Sequence, residues 1–426
     1  MKKPKISVLP NGMQVVSVFV ESPSVTVMSL VNTGSRFESK KNNGISHFLE
    51  HMCFKGTTSQ SGKDIMRYLD GLGAETNAFT SYELTGYYVK STKKHWKKTL
   101  NVVSDIYLNS TFPEEEMNKE KGVIIGEISM YEDMPMRQVQ EVFNELVYGD
   151  TQSAGWTILG PRTNINRMKR TDFLDYHRDH YVASATTLVV AGNVVHADVV
   201  REVEKRFRTI SSSQKHTKDQ AQVIQSAPRI QVVHKKTDQT HIVFGYHTPG
   251  VHHRDTITLK VLASLLGGGM SSRLFERLRE DMGVGYYVNA HHNPQTDTGT
   301  FTISCGVDST RVAEVLSAIQ DEVQTITNTP VVFQELEKTK EFMIGNIQMG
   351  LEVTDDIAYY YGQRALFGLP LSTPPELARD INNVTPEALR RIARKYLVLE
   401  HLNIAMIGPH TKNTQTRFIT TLKKRT

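Results

Sequence analysis

The chain has 426 residues, 39% of them apolar and 22% charged, with a formal net charge of +5. That length asks for two domains rather than one core, the composition argues against long disorder, and a mild, scattered basic excess disfavours nucleic acid as a partner. Two cysteines, Cys53 and Cys305, cannot build a disulfide framework and fit a reducing compartment.

In chain order, "MKKPKISVLPNGMQVV" carries the charges of a signal peptide but no uninterrupted apolar core after them. No stretch approaches the roughly 18 apolar residues of a membrane span, so a cytoplasmic protein with no membrane partner is expected. Residues 24 to 36, "SVTVMSLVNTGSR", read as a strand closed by a turn.

A helix is expected next, starting at Asn42 or Asn43 and stopping at Gly56. Ile45, Phe48, Leu49 and Met52 fall on one buried face. His47, Glu50, His51 and Phe54 fall on the opposite one. Histidines at i and i+4 can reach one Zn²⁺ at about 2.0–2.1 Å per bond, and Glu50 could take a proton from an attacking water. The order is that of the zinc proteases reversed, HxxEH for HExxH. A solvated face that happens to carry two histidines has the same five letters, so the spacing alone leaves the metal open. Cys53 lies off this face and reads as a packing residue.

"NAFTSYE", residues 77 to 83, is aromatic and β-branched enough for a buried strand. In residues 116 to 131, Glu116, Glu120, Val123, Ile124, Glu127 and Tyr131 share one helical face. Carboxylates interleaved with Val123 and Ile124 are costly without a partner. Glu116 is assigned to Lys119 near solvent, and Glu127 to a metal. Tyr181 opens another strand, "YVASATTLVVAGN". Residues 211 to 228 are polar and aperiodic, a linker.

After the linker, "THIVFGYHTPGV" (240 to 251) is again a strand with a turn. The run Gly267-Gly268-Gly269 lacks a following Gly-Lys-Ser/Thr, which argues against a phosphate loop. A helix ending in glycines, with Ser271 or Ser272 capping the next, explains it. Taken alone, Arg279 reads as a surface ion pair and Tyr286 as core. His252-His253 and His291-His292 read as loop or strand-surface histidines.

Three pairs of segments repeat in the same order at about 215 positions. Residues 24 to 36 answer 240 to 251, with Gly34 near Gly250. "MNKEKGVIIGE" answers "LEKTKEFMIGN", and Tyr181 answers Tyr396. The pattern indicates an internal duplication. The expected fold is α+β: two homologous two-layer halves, each a mixed sheet with helices on one face. The division runs 1–212, linker 213–228, and 229–426. Residues 47 to 51 shift onto "LASLL", and Glu120 and Glu127 onto Thr339 and Asn346. Packing is shared, while metal ligands belong to the first half only.

"HFLEHMCFKGT", with Glu127 lying 76 positions beyond His51, resembles the inverzincin peptidases of the pitrilysin and insulysin superfamily. The nearest likeness is to the mitochondrial-processing-peptidase branch and its short bacterial relatives. The resemblance implies one Zn²⁺ per chain held by His47, His51 and Glu127, with Glu50 as general base and Glu120 as a supporting acid. It implies that Asn77, Ala78, Phe79 and Thr80 lie on an edge strand that receives the substrate backbone by β-augmentation. It also implies that Arg279 and Tyr286 contact the substrate and assist at its scissile carbonyl. In that family the site lies in a closed chamber. One chain here carries both the metal motif and the Arg/Tyr pair, so a homodimer acting on extended or unfolded peptides is expected. The competing expectation is a non-catalytic assembly subunit of the same fold.

Overall fold

The computed structural model describes residues 3–411 as two compact units, each drawn from three stretches of chain. Unit 1 takes residues up to 128, 156–219 and 348–373; unit 2 takes 129–155, 220–347 and the chain from 374 on. The 213–228 division in chain order is therefore crossed twice, once in each direction.

Unit 1 holds a six-stranded sheet of β1 (Lys5–Val8), β2 (Gln14–Phe19), β3 (Ser24–Val31), β4 (Glu75–Thr80), β5 (Thr85–Thr92) and β6 (Thr186–Gly192), in the order β1-β2-β6-β3-β5-β4. Unit 2 holds β7 (Arg229–His234), β8 (Gln239–Thr248), β9 (Gly285–Pro294), β10 (Gly299–Asp308) and β11 (Leu402–Gly408), in the order β7-β11-β8-β10-β9. With β1 set aside the two orders correspond strand for strand. Each sheet has one parallel pair, β2 with β6 and β7 with β11.

The duplication extends to a tight spot after the central strand. A Cβ on Gly34 would sit 2.2 Å from the Ser81 carbonyl oxygen, and one on Gly250 would sit 2.6 Å from that of Thr296. Only glycine allows the backbone that close.

Five helices of the first part of the chain are α1 (Ile45–Cys53), α2 (Gly62–Gly71), α3 (Trp96–Leu108), α4 (Glu114–Glu132) and α5 (Pro135–Tyr148). On one face of the first sheet, α3 packs on β3 and β5, and α1 on β4 and β5. The two α+β halves with mixed sheets stand, but the expectation of helices on one face alone is corrected, because the second face of each sheet is covered too. In unit 1 the helix Thr354–Leu366 covers Val16, Val18, Met28, Leu30, Val189 and Ala191 with Ile357, Ala358, Tyr361 and Ala365. A side chain at Gly362 would meet Leu30 at 2.6 Å, so the helix lies almost on the strands. In unit 2, α5 does the same with Val139, Phe143 and Val147 over Val243, Ala405 and Ile407. Each large apolar side chain so buried stabilises its unit by about 1.5–3 kcal/mol. The strands read as continuous apolar runs because both faces are covered.

The polar 211–228 stretch has no regular structure but is not loose. In unit 1, Lys218 pairs with Glu83 at 3.2 Å, His216 stacks on His180 at 4.6 Å, and Arg36 donates to the Asp219 carbonyl. In unit 2, the Ala221 N–H donates to Asp297 and the Gln222 N–H to Gln152. No helix among the described residues is long and apolar enough to cross a membrane.

Candidate metal centre

Helix α1 forms where the apolar spacing predicts it, and Ile45, Phe48, Leu49 and Met52 are fully buried. Its ends differ from expectation. The N-cap is Gly44, in a left-handed conformation, and the last helical residue is Cys53. Neither asparagine caps the helix with its side chain. The Glu38 carboxylate reaches back instead, accepting from the N–H groups of Gly44 and Ser46 and from the Asn43 amide, each at 2.8 Å. A carboxylate is well placed among these otherwise orphan donors. Burial pushes the Glu38 carboxyl up, and its hydrogen bonds pull the other way.

The opposite face of α1 turns its polar groups toward α4. His47 Nε2 lies 3.5 Å and His51 Nε2 3.7 Å from the same oxygen of Glu127. The two imidazole rings meet edge to face at 4.7 Å. One ligand atom from each of the three residues lies within 4.8 Å of the others, the one such trio of metal-ligand type among the described residues. Burial, and then the neighbouring His51, push His47 down to about 3, so its ring is neutral and free to ligate. His47 Nδ1 is buried without a hydrogen-bond partner.

Glu120 belongs to the same cluster. One oxygen lies 3.0 Å from His51 Nδ1 and the other 2.5 Å from Lys55 Nζ. Glu116 pairs with Lys119 at 2.7 Å. The stripe drawn through α4 needs one correction. Val123 is 53% exposed, and the buried row is Met117, Glu120, Ile124 and Ile128. The row is offset because α4 turns its Val123 side to solvent.

Glu50 is partly buried beside the trio, and the Thr80 hydroxyl donates to it at 2.5 Å. Burial raises its carboxyl, Thr80 and His51 pull it back, and Glu127 pushes it up. Glu50 and His51 open onto a cleft of about 1310 Å³ that also meets Asn77 and Ala78. Those two residues lie on β4, which is an edge strand and not a buried one. β4 pairs with β5 alone, and the Ala78 N–H is taken by the Asn77 side chain at 2.9 Å. Phe79 and Thr80 complete the strand, half-buried.

In unit 2, Arg279 sits in a π-helical stretch, Glu276–Asp281, with its guanidinium 5.1 Å over Phe275. Tyr286 is 61% exposed at the start of edge strand β9, so core packing is not its role. Gly268 ends the preceding helix, and Ser272 takes the next N-cap position while its hydroxyl donates to Gly269. His292 departs from its expectation. It is buried, with neither ring nitrogen partnered, and burial pushes it down to about 3.

Sequence reasoning missed Glu38, Thr80 as the partner of Glu50, and Lys55. Only Lys55 left a signal, continuing the 47, 51 row by four.

Fold and site describe a two-unit α+β protein whose described residues bring together one metal-competent centre, in unit 1. The family model for insulinase, peptidase family M16, matches residues 15–162, and that for the peptidase M16 inactive domain matches 167–343. The chain belongs to peptidase family M16. It is 34% identical over 402 residues to the Bacillus subtilis protein named uncharacterized zinc protease YmxG, covering 94% of this chain and 97% of that one. It is 30% identical over 414 residues to the mouse mitochondrial-processing peptidase subunit beta, covering 95% and 84%. The crystal structure of a protease from Helicobacter pylori has the same fold, with a TM-score of 0.88 at 23% identity over 96% of this chain and all of that one.

Proposed function

We propose that the protein is a zinc-dependent endopeptidase of the HxxEH type, cutting extended peptides or unfolded segments. The observation that carries this is the convergence of His47, His51 and Glu127 within 4.8 Å, with Glu50 beside them on the cleft. Two imidazoles, that of His47 kept neutral by burial, and a carboxylate suit catalytic zinc, which leaves a fourth position to water. Zinc bound there supplies a Lewis acid for the scissile carbonyl and makes water a stronger acid.

Glu50 then accepts the proton of the attacking water and passes it to the leaving amine. The Thr80 hydroxyl holds its carboxylate toward the cleft. The free edge of β4 takes the substrate backbone as an added strand, with Asn77 yielding the Ala78 N–H to it. Arg279 binds a peptide carbonyl and Tyr286 donates to the developing oxyanion. Both are exposed, as contact residues must be. The chain acts as a homodimer enclosing a chamber, each subunit lending Arg279 and Tyr286 to the other's zinc site. It works in the cytoplasm, where its two buried, unpaired thiols remain reduced.

The test compares wild type with Glu50→Gln on an unstructured peptide, with bound zinc quantified in both. Wild type is expected to cut, and the variant to keep its zinc and lose about 10²–10⁴-fold in rate. Equal cutting by both sinks the assignment of Glu50. Zinc in both but cutting by neither makes the protein an assembly subunit. The dimer has its own check, mixing Glu50→Gln with Tyr286→Phe. Subunit exchange should recover roughly a quarter of the wild-type rate, and no recovery would place Tyr286 outside its partner's site.

A further inference from the structure

We propose that Lys55 is a positioning residue of the metal centre, acting through Glu120 on His51. The inference rests on the zinc reading above and adds to it a residue outside the ligand trio, on the lining of the cleft that Glu50 and His51 share. Lys55 follows the end of α1, with its N–H donating to the Met52 carbonyl at 3.1 Å. It continues the 47, 51 row beyond the helix. Its ammonium lies 2.5 Å from one oxygen of Glu120, whose other oxygen lies 3.0 Å from His51 Nδ1. One carboxylate is thus divided between a cation and an imidazole.

Three observations set this contact apart from an ordinary surface ion pair, which contributes little. The Glu120 side chain is 9% exposed, so an anion there has little water to fall back on. Glu120 precedes Glu127 on α4 by two helical turns, so the orienting carboxylate and the ligating one are carried by one rigid element. The third observation is the repeat. Shifted by 215 positions, Lys55 falls on Met270, which is 79% exposed, and in the pairing of 117–127 with 336–346 Glu120 falls on Thr339. Where the ligands are lost the lysine is lost with them, whereas a lysine kept for packing has no reason to go.

The contact has a geometric consequence. Lys55 removes one oxygen of Glu120 from competition and fixes the rotation of the carboxylate, so the second oxygen stays on Nδ1. A ring held at Nδ1 turns Nε2 toward Glu127, where His51 ligates. Without the ammonium the carboxylate turns freely and the ring loses its stop.

The experiment measures the zinc dissociation constant of the full chain by equilibrium competition with a chelator, for wild type, Lys55→Met, Lys55→Arg and His51→Ala. Melting of each apo-protein is followed alongside. Lys55→Met is expected to weaken zinc about 10- to 100-fold, the usual effect of losing an outer partner of a ligand, with apo melting close to wild type. Lys55→Arg, which keeps charge and donors, should recover most of the affinity. Zinc held by Lys55→Met as tightly as by wild type overturns the proposal. So does weakening that follows loss of apo stability and that arginine does not rescue. If His51→Ala binds zinc as wild type does, the metal centre itself is misassigned and both readings fall.

Discussion

The Thr80 hydroxyl and the Glu50 carboxylate meet at 2.5 Å, and burial works against the charge on Glu50. For the general-base role proposed for Glu50 the proton-accepting oxygen needs to be aimed, and the Thr80 hydroxyl is the donor in place to aim it. Thr80→Val keeps the strand and the volume but removes the donor. Peptide cleavage by this variant should fall about 10- to 100-fold in kcat, the scale of a small misplacement of a reacting group. KM and bound zinc should hold. A loss confined to KM would mean that Thr80 serves substrate binding on β4 and does not aim Glu50.

Among the elements, the helix after the central strand has a buried acidic anchor in both copies. Glu38 caps α1 in unit 1. In unit 2, Asp255 sits at the N-cap of the helix Thr256–Gly267 and takes Lys395 at 3.1 Å and the Tyr396 hydroxyl at 2.9 Å. Burial pulls the Asp255 carboxyl up, but Lys395 and Tyr396 outweigh it and hold it below its usual 3.8. A depressed folded value means that the ionised form stabilises the fold. That contribution is complete above the usual value and is lost as the pH falls through the depressed one. Asp255→Asn should cost about 1–3 kcal/mol near neutral pH. The gap in melting temperature between wild type and variant should close below about pH 4; a gap of constant width would mean that shape, not charge, is what Asp255 provides. These anchors also mark what the sequence could disclose. The α1 stripe, the HxxEH face and the strand repeats were legible because period and spacing encode them. Glu38 was not, since a carboxylate reaching a helix end from a preceding loop has no period. Val123 was misplaced because α4 has no clean apolar face, and its exposure depends on what packs beside it. Edge position likewise belongs to strand order, which is why β4 could pass for a buried strand.

At the scale of the whole molecule, the exchanged helices decide what can stand alone. Residues 1–212 contain the ligands of the candidate site but not the helix Thr354–Leu366. Expressed by themselves they would expose Val16, Met28, Leu30 and Val189 to water. That fragment should aggregate or bind a hydrophobic dye, and adding a peptide of residues 348–373 should suppress it. A soluble, cooperatively melting 1–212 would show that the helix is dispensable. The same exchange bears on how the molecule comes into being. A chain made from its N-terminus displays HFLEH early, yet the sheet beneath α1 keeps one bare face until residue 366 has been synthesised. At ordinary elongation rates roughly 10–30 s separate the end of the first half from that moment. The nascent protein is thereby kept from becoming a finished protease while most of its own unfolded chain lies within reach.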